Sequence, residues 1–154
     1  MTYSLKLQNG DLVPGAKGLE VVDNASKMVQ DISLELRQKM GENILHPEYG
    51  SLIDGGVKPD GTVYPSIIGE EDLALVEMRI RSEIARIAGN YQSRQLTRAK
   101  SDRMYYGSQT LTKGEVLLGI ASIDITQQLD KVRIVVALTT GENSTETIDI
   151  LLDI

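Results

Sequence analysis

The sequence predicts an α+β fold in a single domain: an N-terminal β element, two main helices and a C-terminal three-stranded antiparallel meander. Three observations predict it. Two stretches, 24–40 and 70–89, repeat apolar side chains at spacings of three and four, the signature of a helix with one buried face. From Val116 onward the repeat changes to two, the period of a strand whose side chains alternate between faces. The first twenty-two residues carry short alternations around Asn9-Gly10, a dipeptide that favours tight hairpin turns. A chain of 154 residues is the size of one domain and buries roughly 68–70% of its unfolded surface. Within that one unit, 1–115 holds the N-terminal element and the helices, and 116–154 holds the meander.

Tyr3, Leu5 and Leu7 alternate with polar residues, and Leu12-Val13 resumes the pattern beyond the turn. Gly15 and Gly18 loosen the chain before Leu19, Val21 and Val22, so residues 3–22 read as a hairpin-like start. The first helix is expected from Asn24, a good N-cap, to Met40. Its stripe is Ala25, Met28, Val29, Ile32, Leu36 and Met40. Gln30, Asp31, Glu35 and Arg37 lie off the stripe and read as a solvated face, or as a face docked on a partner. Gly41 stands where this helix is expected to stop, because glycine alone enters the left-handed conformation there without a Cβ penalty. Pro47 fixes its own φ and holds His46 extended.

Between Ile53 and Gly69 the run DGGVKPDGTVYPSIIG reads as a loop with a turn at Pro59-Asp60-Gly61. The second helix is expected to begin at Gly69–Glu71, where Glu70, Glu71 and Asp72 meet the positive end of the helix dipole. Leu73, Val76, Ile80, Ile84 and Ile87 form its buried stripe, and Gly89-Asn90 its end. Residues 91–106 have few apolar anchors and read as a polar helix or an extended arm. In the meander, Leu118, Ile120, Ser122, Asp124 and Thr126 alternate with Leu117, Gly119, Ala121, Ile123 and Ile125. Turns are expected at Gln127–Asp130 and at Thr140–Asn143, around the β-rich run Val132–Thr139.

The last strand places Thr145, Thr147, Asp149 and Leu151 on one side and Glu146, Ile148, Ile150 and Leu152 on the other. A terminal strand at a sheet edge offers unpaired N–H and C=O groups to an extended partner. Edges are normally blunted by Lys or Pro, and from 145 to 154 there is neither. It reads as the outer strand of a self-contained sheet, or as a template for strand addition in which main-chain bonds supply affinity. In the second case Ile148, Ile150 and Leu152 are expected to bury against the partner, at about 1.5–3 kcal/mol each.

The net charge of −6 is unevenly spread. From Glu77 to Tyr105 seven basic side chains stand against three acidic ones, and from Val116 to Ile154 two stand against six. Arg79, Arg86, Arg94, Arg98 and Arg103 form a candidate protein-docking basic patch, since opposite fields steer partners together. An acidic whole without an interleaved aromatic platform argues against nucleic acid. With no cysteine, disulfides, thiolate catalysis and thiolate metal sites are excluded. The one histidine, His46, has no companion at ligand spacing, so neither a metal nor a cofactor is expected. Ser51 lacks the partners of a catalytic triad. Glu42, Glu48 and Asp54 stand around the 41–54 segment as candidates for the carboxylate pair of glycoside hydrolysis. Sugar sites stack their substrates on aromatic faces, and tyrosines are the only aromatics here, so an enzyme is not the expectation. No apolar run approaches the ~18 residues of a membrane span, and the first residues lack the apolar core of a signal peptide. Synthesis and use in a cytoplasm, away from membranes, are therefore expected.

Residues 41–54, GENILHPEYGSLID, follow a helix that carries Gln30-Asp31; LQNGDLV and GLEVV precede it, and a second helix and terminal strands come after. This order resembles the lysozyme-like wedge proteins of contractile phage baseplates and their type VI secretion relatives. That family carries a PxFG or PxYG element here, matched by Pro47, Tyr49 and Gly50. Many members have Glu-Pro-Arg at the proline, where this chain has His46 and Glu48, so the roles of that Glu and Arg are not carried over. The resemblance implies a structural role without catalysis. Gly41, Glu42, Pro47, Glu48, Tyr49 and Gly50 would form the wedge-core motif that docks wedge scaffold proteins. Thr145, Glu146, Thr147, Ile148, Asp149, Ile150, Leu151 and Leu152 would pair with the tail sheath protein and initiate its assembly. A sixfold arrangement in a virion tail baseplate, assembled in the host cytoplasm, is implied as well. The alternatives are a peptidoglycan-hydrolysing muramidase of the same particle and a regulatory binding module on the same small fold.

Overall fold

The computed structural model describes residues 2–67, 72–107, 110–128 and 131–153. It is α+β, with two helices and a C-terminal three-stranded antiparallel sheet. Six short strands open the chain: β1 (Tyr3–Leu5), β2 (Leu7–Gln8), β3 (Asp11–Leu12), β4 (Pro14–Gly15), β5 (Gly18–Leu19) and β6 (Val21–Asp23). They pair as three small ribbons, β1 with β6, β2 with β3 and β4 with β5. Where the ribbons meet, Lys6 N–H donates to the Glu20 carbonyl (2.8 Å), Glu20 N–H to that of Val13 (2.9 Å) and Val13 N–H to that of Lys6 (3.1 Å). This ring of bonds replaces the simple hairpin expected over 3–22. The Asn9-Gly10 turn is where its chemistry puts it, with φ of 54° and 89° closing β2 onto β3.

Helix α1 spans Asn24–Arg37, and Gln38 is already extended (φ −79°, ψ 136°). The helix thus stops short of Met40, and Gly41 is not its terminator. The chain leaves the helix because β7 (Lys39–Met40) pairs in parallel with β8 (Ser51–Val57). Ser51 secures the junction: its N–H donates to the Gln38 carbonyl (2.8 Å) and its hydroxyl to that of Leu36 (2.7 Å), an acceptor the helix end leaves unpaired. The expected 53–69 loop is a hairpin instead, since β9 (Val63–Ser66) runs antiparallel to β8 around the 58–62 turn. Glycine here does not mean looseness. A Cβ on Gly56 would stand 2.7 Å from the Met40 carbonyl oxygen, so this glycine lets two strands approach.

Helix α2 spans Leu73–Tyr106, 34 residues, or roughly 50 Å at 1.5 Å per residue. Asp72 caps it, accepting from the N–H groups of Ala74 (3.1 Å) and Leu75 (3.3 Å). The expected first-turn charges Glu70 and Glu71 lie outside the described residues. The helix runs through Gly89-Asn90, because one interior glycine costs only about 1 kcal/mol and buried Tyr91 and Asp102 hold the continuation. The stripe continues as Val76, Ile80, Ile84, Ile87, Ala88 and Tyr91, whereas Leu73, in the first turn, is exposed. Gly107, left-handed at φ 71°, caps the end.

A 3-10 turn (Lys113–Glu115) leads into β10 (Leu117–Gln128), β11 (Lys131–Thr140) and β12 (Thr145–Asp153), hydrogen-bonded in that order. Part of the first turn, Leu129-Asp130, lies outside the described residues. Register shifts after Leu117 and after Ile120 break the strict alternation expected in β10. Ile120, Ile123 and Ile125 consequently all pack on the core. Met28, Ile32 and Leu36 of α1 and Ile80, Ile84 and Ile87 of α2 close over Val132, Ile134, Val136 and Leu138 of β11 and Ile148 and Ile150 of β12. Helix α1 lies against β12 and α2 against β10. Among the described residues, no helix is long and apolar enough to cross a membrane.

Candidate functional site

The segment between β7 and β8 is built on two glycines that no other residue replaces without strain. Gly41 (φ 87°) has the Val57 carbonyl oxygen 2.7 Å from where a Cβ would be, and Gly50 (φ 112°) has backbone atoms of Gln38 and Lys39 at 2.8 Å. Between them the chain makes two successive turns. The Asn43 side chain accepts from the N–H groups of Leu45 (3.1 Å) and His46 (3.2 Å), and Tyr49 N–H donates to the His46 carbonyl (3.0 Å). Arg86 fixes the far end, donating to the Gly50 carbonyl at 2.6 Å while paired with Glu83. Glu83 in turn accepts from Leu52 N–H at 2.9 Å. Glu42, His46, Pro47 and Glu48 stay exposed, with His46 Nδ1 3.7 Å from a Glu48 oxygen.

Under this loop sits a polar cluster. Glu35, fully buried in α1, pairs with Arg94 of α2. The Arg94 guanidinium lies 5.8 Å from the Tyr49 ring centre and 5.7 Å from that of Tyr91, within cation–π range of both. Asp31 pairs with Lys27 and accepts from the Tyr91 hydroxyl (3.4 Å), and its carbonyl faces the Tyr49 hydroxyl at 3.5 Å. Burial, then the negative charges of Glu35 and Asp31, push the Tyr49 hydroxyl up to about 12. Tyr91 is raised as well, by burial first and by Asp31 next. Gln30 bonds Leu7 N–H and the Leu5 carbonyl, both at 2.9 Å, and ties α1 to the ribbons. Of the face expected to be solvated, only Arg37 is exposed. Glu35 is inside because α2, running on past Asn90, delivers Arg94 to it.

A cavity of about 360 Å³ opens beside this cluster, lined by Asp31, His46, Glu48, Tyr49, Tyr91 and Arg94. Asp31 and Arg94 already have partners in Lys27 and Glu35 outside its lining, which suits the cluster to hold the loop in place. Glu42, Glu48 and Asp54 are all exposed, and Asp54 pairs with Lys39 at 2.9 Å. None of the three has the desolvating wall that keeps a general acid protonated. Among the described residues, no three His, Cys, Asp or Glu side chains group as metal ligands.

The five arginines of the expected basic patch do not form one surface, although Arg94 and Arg98, one turn apart, line a common cavity. Arg79 and Arg103 are about 36 Å apart along α2. Arg86 and Arg94 are spent on the loop and on Glu35, and Arg79 lines a small cavity with Lys58, Tyr64 and Glu83. Arg98 lies 4.0 Å from Asp102, and Arg103 is exposed near the helix end. The helix wraps what the linear sequence had clustered.

The two edges of the meander differ. On β10, Gln92 caps the carbonyls of Leu117 (3.2 Å) and Leu118 (2.8 Å), and Arg81 caps that of Ile123 (2.8 Å). Together with the two register shifts, these side chains obstruct pairing along that edge. On β12 the register with β11 is unbroken from Thr145 to Asp153. Among the described residues, no side chain bonds to the backbone of 145–151. Thr140 N–H donates to the Ser144 carbonyl, which makes Thr140–Ser144 a hydrogen-bonded pair. By antiparallel alternation, Glu146, Ile148, Ile150 and Leu152 then turn their backbone groups to β11. Thr145, Thr147, Asp149 and Leu151 turn theirs outward. The side chains of Ile148 and Ile150 are only 2% exposed within the chain's own core, so they are not the partner-facing apolar surface expected from the sequence. On the opposite face Asp149 pairs across the strands with Arg133, whose guanidinium holds the carboxyl below the usual aspartate value.

No local pattern of residues announces the Glu35–Arg94 pair, the Glu83–Arg86 clamp or the capped β10 edge. The one available hint was Tyr91 and Arg94 three residues apart, on a helix face whenever the helix continues. No family model matches this chain, and neither the curated proteins nor the solved structures include a significant match to it.

Proposed function

We propose that this chain is a structural wedge component of the baseplate in a contractile tail or tail-like injection particle. In this role β12 initiates the sheath by accepting an extended segment of the sheath protein. The observation that carries the proposal is the asymmetry of the sheet: one edge capped and irregular, the other regular and open over residues 145–151. Four residues there offer outward N–H and C=O groups. At a net ~0.5–1.5 kcal/mol per bond, they contribute several kcal/mol to an added strand. Repetition around a ring multiplies a contact of that strength through effective concentration. Strand addition of this kind needs a rigid template. The helices supply it by burying Ile148 and Ile150 beneath the edge, and the motif loop stiffens the helical half that wedge scaffold proteins would hold.

Truncation of the chain before Ser144 would remove core residues, so the test uses proline instead. Thr147→Pro and Leu151→Pro each delete an outward N–H and leave the β11 ladder intact. Electron microscopy of particles assembled with these variants is expected to show baseplates with naked tubes. Normally sheathed particles, formed by a variant that keeps the wild-type melting temperature, would refute strand addition at β12.

A further inference from the structure

Two surfaces are used neither by the fold nor by the open edge. The first is the apex of the motif loop, where Ile44 and Leu45 are 92% and 85% exposed. Asn43 fixes the backbone beneath them, and Glu42 and Glu48 stand exposed on either side. It is a preformed apolar knob with an acidic rim. The second is a groove of about 380 Å³ between α2 and the start of β10, lined by Leu96, Ala99, Leu111, Val116 and Leu118 among others. Helical spacing puts Arg103 on the face of Leu96 and Ala99, and Lys100 one turn from Leu96. Both are exposed, so the groove is apolar with a basic rim.

The two features are complementary in polarity and opposite in charge. They do not meet within one molecule. The groove face of α2, centred between Leu96 and Ala99, is turned by about 140° from the Tyr91–Arg94 face that holds the loop, and the knob is open to solvent. We propose that the Ile44–Leu45 knob of one copy seats in the α2–β10 groove of a second copy. Glu42 and Glu48 then lie toward Lys100 and Arg103, while knob-to-knob and groove-to-groove pairings set like charges against each other. Because the surfaces differ, the contact is head-to-tail, and its repetition builds a closed ring or an open row. It uses none of β12, so it stands or falls separately from strand addition.

Analytical ultracentrifugation of the full chain over a concentration series tests it. The average mass is expected to rise above the 16.9 kDa of one chain, and added salt to reverse the rise. Leu45→Asp and Leu96→Glu change exposed side chains and are expected to weaken association by at least about tenfold each, with unchanged melting. Mixing the two variants is decisive. One retains its groove and the other its knob, so the mixture is expected to form one-to-one dimers that grow no further. A wild-type chain that stays monomeric up to its solubility limit would overturn the proposal. So would a mixture that forms no dimer, and the knob would then belong in the socket of a different protein.

Discussion

Replacing Arg94 by methionine strands the Glu35 carboxylate. Its side chain is 1% exposed, whereas that of Arg94 is 48% exposed, so the two partners are not equivalent. Removing one member of a buried pair costs about 3–5 kcal/mol. The outer half of Arg94 reaches water, which places the cost near 3 kcal/mol, and the lost contacts with Tyr49 and Tyr91 add ~0.5–1 kcal/mol each. For a domain of this size, ~4–5 kcal/mol corresponds to a fall in Tm of about 8–20 °C. Glu35→Gln is the milder change, about 1–2 kcal/mol, because the arginine it releases can turn to solvent and the amide still accepts a hydrogen bond. The double variant Glu35→Gln/Arg94→Met is expected to cost no more than Arg94→Met alone. Urea unfolding with a constant m-value reads all three differences. A cost below about 1 kcal/mol for Arg94→Met, or single costs that simply add in the double variant, would refute the idea that this pair anchors the loop.

Gly50→Ala sets a Cβ 2.8 Å from backbone atoms at a left-handed φ and is expected to cost at least ~2–3 kcal/mol, against ~1 kcal/mol for Gly61→Ala, which meets nothing within 4 Å; equal shifts in the urea midpoint would contradict this. Burial works to raise the buried Glu115 carboxyl, and the bonds from Thr112 and Thr2 outweigh it, so its value in the folded chain lies below the ordinary 4.5. The stability it contributes is therefore present above pH 4.5 and lost as pH falls through the lowered value, and Glu115→Gln should flatten that acid limb of the stability profile. Tyr49 runs the other way. With its hydroxyl raised from 10.0 to about 12, its stabilisation is complete below pH 10 and lost as pH climbs toward 12. Tyr49→Phe should make alkaline unfolding less steep, and an unchanged slope would show that the tyrosine is not buried under the loop.

Period alone made most of the architecture legible. The stripes of α1 and α2 and the switch to alternation at Val116 report burial directly, because a core selects side chains by face. Boundaries were less legible wherever a distant partner decides them. Helix α1 ends at Arg37 because Gln38 and Lys39 find bonding partners near Ser51, and nothing in residues 24–41 announces that. The glycines of 53–69 look like breakers, yet Gly55 and Gly56 sit inside β8 where neighbouring backbones come within contact. Gly89 looks like an end because glycine is a poor helix former, but Tyr91 and Asp102 anchor the helix beyond it. The candidate site divides in the same way. Gly41, Tyr49 and Gly50 were visible as conformational oddities, whereas Glu35 and Arg94, 59 residues apart in sequence, meet only through tertiary packing. Outward-facing Leu151 and inward-facing Ile150 followed correctly from alternation. That Ile150 is already covered by the chain's own helices did not.

Amide hydrogen exchange at single-residue resolution along β12 probes the open edge most directly. In the isolated chain the N–H groups of Thr145, Thr147, Asp149 and Leu151 face water and should exchange quickly, while those of Glu146, Ile148 and Ile150, bonded to β11, should be protected. In particles carrying a sheath, strand addition predicts that the outward set becomes as slow as the inward one. Outward amides that still exchange quickly under an assembled sheath would mean that β12 is only the outer strand of its own sheet.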